Sequence, residues 1–347
     1  MLTHHRKVNR LKILLISPCH KNFGGWYRTE NIRNALSKLN HTVKFVYNQR
    51  YHSNKFIRIL IGLRNAWFVA LGNYDVVHIF ELLMPETLPA VLIGRLLRKR
   101  MCVDVGDEWT YSPTYRTSGA ITASYIRFFD HLTTRLSPFL TTTSEFLKKK
   151  YSLQAAGKVD SILVLNNYIN CDEYKTVSRK KARGVLHLGR QEKIVLAFGN
   201  TYGGKRQFLF DKTVKWVSTM DKSIRFISGI YLDKVKLPLF VGACDLFLFP
   251  TGDNPCEEAC YPIRVGTYLH GERVIATDES ETEFHNSLMP FNCLLTGRRP
   301  YLLAKNIVKF FNDRDYRSIL EFNVLLAKKA FNWDRHIRRL DAYYTKL

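Results

Sequence analysis

Short apolar runs separated by segments of helical length recur along most of this chain. Leu11 to Ser17, Thr42 to Tyr47, Tyr74 to Phe80 and Met101 to Val105 each read as a strand buried on both faces. They are four to eight residues long, rich in β-branched and aromatic residues, and bounded by polar or glycine-bearing stretches. Helices are expected from the glycines at 24 and 25 to about Leu39, and over Leu88 to Leu97. Leu140 to Ser144 continues the series, with Ser144 able to cap a short helix, and Val164 to Ile169 ends the first half. The pattern restarts at Lys193 to Gly199 and repeats at Ile224 to Gly229, Leu246 to Phe249 and Val274 to Ala276, before a helical pattern from Leu303 to Leu347. Strand alternating with helix predicts parallel sheets covered by helices, the α/β class.

The 347 residues suffice for two such domains, and 46% hydrophobic content fits a folded chain. Cys171 to Gln191 is polar, basic and poor in bulky apolar residues, which marks it as the expected linker. The most informative stretch is Gly242 to Asp278. Its strand closes at Pro250, a polar loop carries Glu257, and Pro262 opens a helical segment that Gly271 ends, before the next strand. A helix start above a parallel sheet points free amides at whatever lies there, which suits a phosphate. Glycine turns follow two other strands: Gly24 and Gly25 after the first, and Gly203 and Gly204, leading into Lys205 and Arg206, after the strand at Lys193. Gly106, Asp107 and Glu108 leave the end of another strand, where α/β ligand crevices form. His78, inside a strand, reads equally as a core histidine or a functional one, and Arg28 as an acceptor-phosphate ligand or a solvated side chain.

Net charge narrows the partners. At +23 the chain should seek an anionic surface: phospholipid, a phosphorylated lipid acceptor, or nucleic acid. From Arg50 to Leu71, Lys55, Arg58 and Arg64 are interleaved with Ile57, Leu60, Ile61, Leu63, Trp67 and Phe68. This is the make-up of an interfacial amphipathic helix, or of a core helix with a solvated basic face. Arg95, Arg98, Lys99 and Arg100 form a second basic group. No run of about 18 clean apolar residues is present to span a bilayer. The basic, apolar N-terminus resembles a signal peptide only superficially, since its run leads into a glycine loop. Seven cysteines without a CxxC pair suggest reduced thiols and a cytoplasmic protein. Cys256 and Cys260 would need two further ligands to hold a metal, and no His or Cys cluster accompanies them.

The strand closed by Pro250, Glu257, Pro262 five positions later, the helix, and Gly271-x-x-Val274-Ile275-Ala276 together resemble the donor-sugar site of retaining GT-B glycosyltransferases of glycosyltransferase family 4. The resemblance runs through nearly the whole chain in order. It implies two Rossmann-like domains facing across a cleft: an acceptor domain over 1–175, a nucleotide-sugar domain over 185–328, and a C-terminal helix at 329–347 crossing back to the first. It further implies that Glu257 contacts the transferred sugar while Lys205, with Arg206 and the backbone around Glu258, Ala259, Cys260 and Tyr261, holds the diphosphate. Gly24, Gly25 and Asp107 would face the acceptor side. Three positions depart from the pattern. Val265 stands where a second glutamate usually holds the ribose, leaving Thr267 or another segment to replace it, and Asn200 stands where an arginine usually neutralises the diphosphate. Gly106 also replaces a histidine before Asp107.

The expected activity is therefore a metal-independent, retaining hexosyltransferase with no cofactor beyond its co-substrate, a UDP- or GDP-sugar. The expected acceptor is a lipid-linked glycan or other glycan, met at the inner face of the membrane by a peripheral cytoplasmic protein. Two alternatives stand beside it: a sugar transferase acting on nucleic acid, and a non-catalytic partner subunit with this fold. An NAD-dependent enzyme fits less well, because the first turn lacks G-x-G-x-x-G and the second strand runs into Asn48-Gln49-Arg50 without an acid.

Overall fold

The structure is a computed structural model. It describes residues 10–347 except 22–23, 51, 53, 82–84, 108–123, 125–126, 129–131, 133–134, 138, 155–161, 169–176, 199–203, 231–235, 252–258, 260 and 281. The chain divides into two compact units, Met1–Asn166 with Trp333–Leu347, and Asn167–Asn332.

In the first unit, β1 (Lys12–His20), β2 (Thr42–Asn48), β3 (Val76–Phe80), β4 (Met101–Val105), β5 (Leu140–Thr142) and β6 (Ile162–Val164) form one sheet in the order β2-β1-β3-β4-β5-β6. Every described pairing is parallel. The described helices include α1 (Gly24–Lys38), α2 (Lys55–Leu71), α3 (Leu88–Leu96) and α4 (Glu145–Gln154). Ile13 to Ile16 and all five residues of β3 are buried, as expected of strands covered on both faces. The last strand of this sheet, β6, ends at Val164. Leu165 N still donates to Thr142 O at 2.8 Å, and the chain then leaves the sheet.

The second unit holds α5 (Arg179–Val185), β7 (Lys193–Phe198), α6 (Gly204–Met220), β8 (Ile224–Ile230), α7 (Leu237–Ala243), β9 (Leu246–Leu248), α8 (Ile263–His270), β10 (Val274–Asp278), α9 (Glu283–Leu288), β11 (Leu294–Gly297), α10 (Pro300–Asn312) and α11 (Arg314–Ala330). Its sheet order is β11-β10-β9-β7-β8, again parallel. Within the stretch expected to be linker, α5 is a packed helix. Ser178 caps it, and the buried Arg183 donates to Asp245 Oδ2 at 2.9 Å and to Ala243 O at 2.9 Å. Asp245 Oδ2 also accepts from Ile194 N at 2.8 Å, fixing the amino edge of the sheet.

The long C-terminal helical pattern breaks twice. Asp313 ends α10 and caps α11, its carboxylate accepting from Tyr316 N. After Asn332, α12 (Trp333–Tyr344) joins the first unit. Trp333, Ile337, Leu340, Tyr343 and Tyr344 are buried there. The Tyr343 hydroxyl donates to Leu140 O at 3.0 Å and accepts from Leu140 N at 3.1 Å.

Strand order sets where ligands can bind. In each sheet the order of connection reverses once, between β1 and β3 and between β7 and β9. At such a switch the loops leave in opposite directions and open a crevice beyond the carboxyl ends of the strands.

Candidate functional site

At the switch of the second unit, β7 ends at Phe198 and α6 begins at Gly204, so Lys205 and Arg206 fall in its first turn. Lys205 is exposed and Arg206 half-buried. Asn200 lies outside the described residues, as do Glu257, Glu258, Cys256 and Cys260. The described residues on either side of Glu257 are held in place. Thr251, buried just beyond β9, donates its amide to Asp278 Oδ1 at 2.6 Å and its hydroxyl to Asp278 Oδ2 at 2.9 Å. Ala259 and Tyr261 are buried, and Asn167 Nδ2 donates to Tyr261 O at 2.5 Å. The Tyr261 ring stacks on Phe331 at 6.2 Å, and burial pushes its hydroxyl well above the ordinary tyrosine range.

Val265, where the resemblance led to the expectation of a second glutamate, has no exposed surface. An unpaired carboxylate there would have to be neutralised or expelled, which accounts for the valine. Thr267 is buried two residues further along α8. The sequence reading missed Arg264, immediately before Val265. Its Nη1 donates to Phe198 O at 2.8 Å, and its guanidinium lies 5.1 Å from the centre of the Phe249 ring. It was overlooked because single arginines are common on exposed helix faces.

In the first unit, Gly24 and Gly25 open α1. A Cβ on Gly25 would stand 2.6 Å from Cys19 Sγ, so this position needs glycine for packing alone. Arg28 neither faces solvent nor is available to an acceptor. It donates from Nε and Nη2 to the two carboxylate oxygens of Asp104, at 2.9 and 2.8 Å, and from Nη1 to Leu165 O at 2.8 Å. The same network absorbs His78. Thr141 Oγ1 donates to Asp104 Oδ1 at 2.6 Å, so its lone pair must accept from His78 Nε2, 3.1 Å away. His78 Nδ1 then accepts from the Tyr344 hydroxyl at 2.7 Å. Burial pushes the imidazole down to about 4, against the pull of Asp104, so it stays neutral and structural.

Asp107 follows β4 at the carboxyl edge. Burial raises its pKa, with Arg28 opposing and the charge of Asp104 adding to the rise. A carboxyl poised this way can exchange a proton with a hydroxyl. Beside it stands a residue that the sequence reading did not mark. Glu81, just past β3, is buried with φ 57°, a conformation rare for glutamate. Its Oε1 accepts from Gly106 N at 3.2 Å, and a Cβ on Gly106 would stand 2.6 Å from that oxygen. Glu81 therefore explains the glycine before Asp107: its carboxylate fills the space that a side chain at 106 would need.

A third feature lies on the helices of the first unit. On α2, Phe56, Ile59, Leu60, Leu63, Trp67 and Leu71 are exposed, Trp67 at 64%; on α3, Leu92 and Leu96 are exposed, Leu96 at 75%, with Leu97 exposed just beyond it. At Gly62 on α2 a Cβ would stand 3.0 Å from Cγ of Pro89, on α3, and 2.2 Å from Pro85 O just before it. Of the basic residues expected there, Arg58 is taken up by Glu86 at 2.6 Å and Arg100 donates to Tyr344 O, whereas Arg64, Arg95 and Arg98 are exposed. Among the described residues no helix is long and apolar enough to cross a membrane.

No protein-family model matches the chain, and no curated protein is significantly similar in sequence. Solved structures are similar in fold. A glycosyltransferase from Rickettsia africae superposes with TM-score 0.69 at 12% identity, over 97% of this chain and 98% of that one. Anabaena HepE in complex with UDP and glucose gives 0.66 at 14%, over 97% and 100%. Sucrose-phosphate synthase from Thermosynechococcus elongatus gives 0.65 at 14%, over 97% and 99%. At this identity the similarity establishes the fold: α/β, with two Rossmann-like domains of the GT-B kind.

Proposed function

We propose that this protein is a glycosyltransferase that moves a sugar from a nucleotide-sugar, UDP-linked in the first instance, to a lipid-linked or other glycan acceptor, with retention at the anomeric carbon. The observation that carries the reading is the whole-chain fold, shared with a glycosyltransferase and with a protein bound to UDP and glucose. The two positively charged residues at the start of α6 support it, because they stand at the switch of the second sheet. In this reading Glu257 contacts the sugar, while Lys205, Arg206 and the amides near Cys260 and Tyr261 hold the diphosphate. Fixed cations stabilise the leaving group as the glycosidic bond breaks, the part a divalent metal plays elsewhere. Asp107 and the turn at Gly24 and Gly25 serve the acceptor.

Calorimetry with UDP, GDP, ADP, CMP and their sugars tests the donor. One nucleotide should bind, and Lys205→Ala should weaken it by about tenfold, the loss of one charge-assisted hydrogen bond. A folded protein that binds none of them supports instead the non-catalytic partner subunit.

The exposed apolar face of α2 and α3, bordered by Arg64, Arg95 and Arg98, favours a lipid over a nucleic-acid acceptor, since a nucleic-acid surface rewards charge but not bulky apolar groups. The protein would then work peripherally at the cytoplasmic face of an anionic membrane. Sedimentation with phosphatidylglycerol vesicles should capture it at low salt, and Trp67→Glu with Leu96→Glu should release it. Capture by duplex DNA but not by vesicles would sink the lipid reading.

A further inference from the structure

We infer that Arg264 is a diphosphate-binding residue of the donor site, supplying the positive charge that Asn200 does not; this rests on the nucleotide-sugar reading above. The argument begins from an anomaly of placement. Arg264 is the second residue of α8, and that first turn carries no acid. The amino end of a helix carries partial positive charge, so a guanidinium there is repelled unless an anion joins it. The buried arginines elsewhere have such an anion. Arg28 is paired with Asp104 and Arg183 with Asp245. Among the described residues, half-buried Arg264 faces no carboxylate: its contacts are the carbonyl of Phe198 and the ring of Phe249.

Those two contacts also locate it. Phe198 is the last residue of β7, and Phe249 directly follows β9. β7 and β9 are the neighbours between which the connection order reverses, so the guanidinium spans the mouth of the crevice at the switch. One N–H is fixed on the Phe198 carbonyl and the plane is held against an aromatic face. A guanidinium has five N–H donors, and a fork oriented by stacking suits two oxygens of a phosphate. The start of α6, with Lys205 in its first turn, is separated from Phe198 by only the residues at 199–203. A diphosphate at this crevice would meet cations from both helices and the free amides at the start of α8. A carboxylate ligand would use the same charge but only one of the two phosphates' positions, so the chemistry fits a nucleoside diphosphate.

The test separates phosphate recognition from a packing role. Calorimetry compares UDP and GDP with uridine and guanosine on the wild type, Arg264→Gln and Arg264→Lys, with thermal melts of each unliganded protein. Arg264→Gln should weaken the bound diphosphate by tenfold or more and leave the nucleoside and the melt unchanged, and Arg264→Lys should recover part of the loss. Diphosphate affinities within about twofold of wild type in both variants overturn the inference alone. So does an equal loss for nucleoside and diphosphate, which marks a packing role. A wild type that binds no nucleotide overturns the donor reading itself, and this assignment with it.

Discussion

Asp104→Ala should destabilise the first unit by about 3–5 kcal/mol, the usual loss when one partner of a buried ion pair is removed. The size follows from what is left behind. Arg28, with 4% of its surface exposed, would lose the carboxylate on which its Nε and Nη2 are fixed, and Thr141 would lose its acceptor. Against a total stability of about 5–15 kcal/mol, this loss places the variant near the limit of folding. The double variant Arg28→Met with Asp104→Leu should be closer to wild type than either single change, because no buried charge remains. Urea denaturation measures all three, and single variants within about 1 kcal/mol of wild type would refute the account. Acid should act on the same network. Burial alone would raise the Asp104 carboxyl, but Arg28 outweighs it and holds the folded pKa below the ordinary range. That stabilisation is present above about pH 4 and fades as pH falls further. His78, held neutral down to about 4 against 6.5 when exposed, adds a loss that begins earlier, between those two values.

Removing Trp333–Leu347 should have the larger effect, abolishing cooperative folding of the first unit. Five side chains of α12 are buried there, and each contributes about 1.5–3 kcal/mol, a sum on the order of 10 kcal/mol. The deletion also takes the Tyr344 hydroxyl from His78 and both bonds of the Tyr343 hydroxyl to Leu140. Limited proteolysis should digest 10–166 rapidly while a fragment near 167–332 persists, since the core of the second unit is its own. Equal protection of both units in the truncated chain would show that α12 is dispensable.

The strands could be read from the sequence because they are covered on both faces. Leu246 to Phe249 and Met101 to Val105 are apolar at nearly every position, and a run of that length leaves few other fates. The helix at Arg179 could not be read, since its composition is that of a solvated linker and only Asp245, 62 residues away, makes Arg183 a core residue. The Arg28–Asp104 pair was hidden for the same reason, its members being 76 positions apart. Local patterns report which face is buried; they do not report which charge will meet which. Lys205 and Asp107 came from a motif, whereas Glu81 and Arg264 follow no motif, and their surroundings mark them only once the ends of the strands are assembled.

The return of α12 to the first unit also orders events in time. A ribosome completes β1 to β6 early, yet the helix that covers them is made only after the whole second unit. At roughly 5–20 residues per second, that interval is on the order of ten to thirty seconds. The second unit, continuous in sequence, can close while the first still waits with the surface for Trp333 and Leu340 uncovered. During synthesis the N-terminal half is therefore the later of the two to mature, and the one that most needs a chaperone's protection.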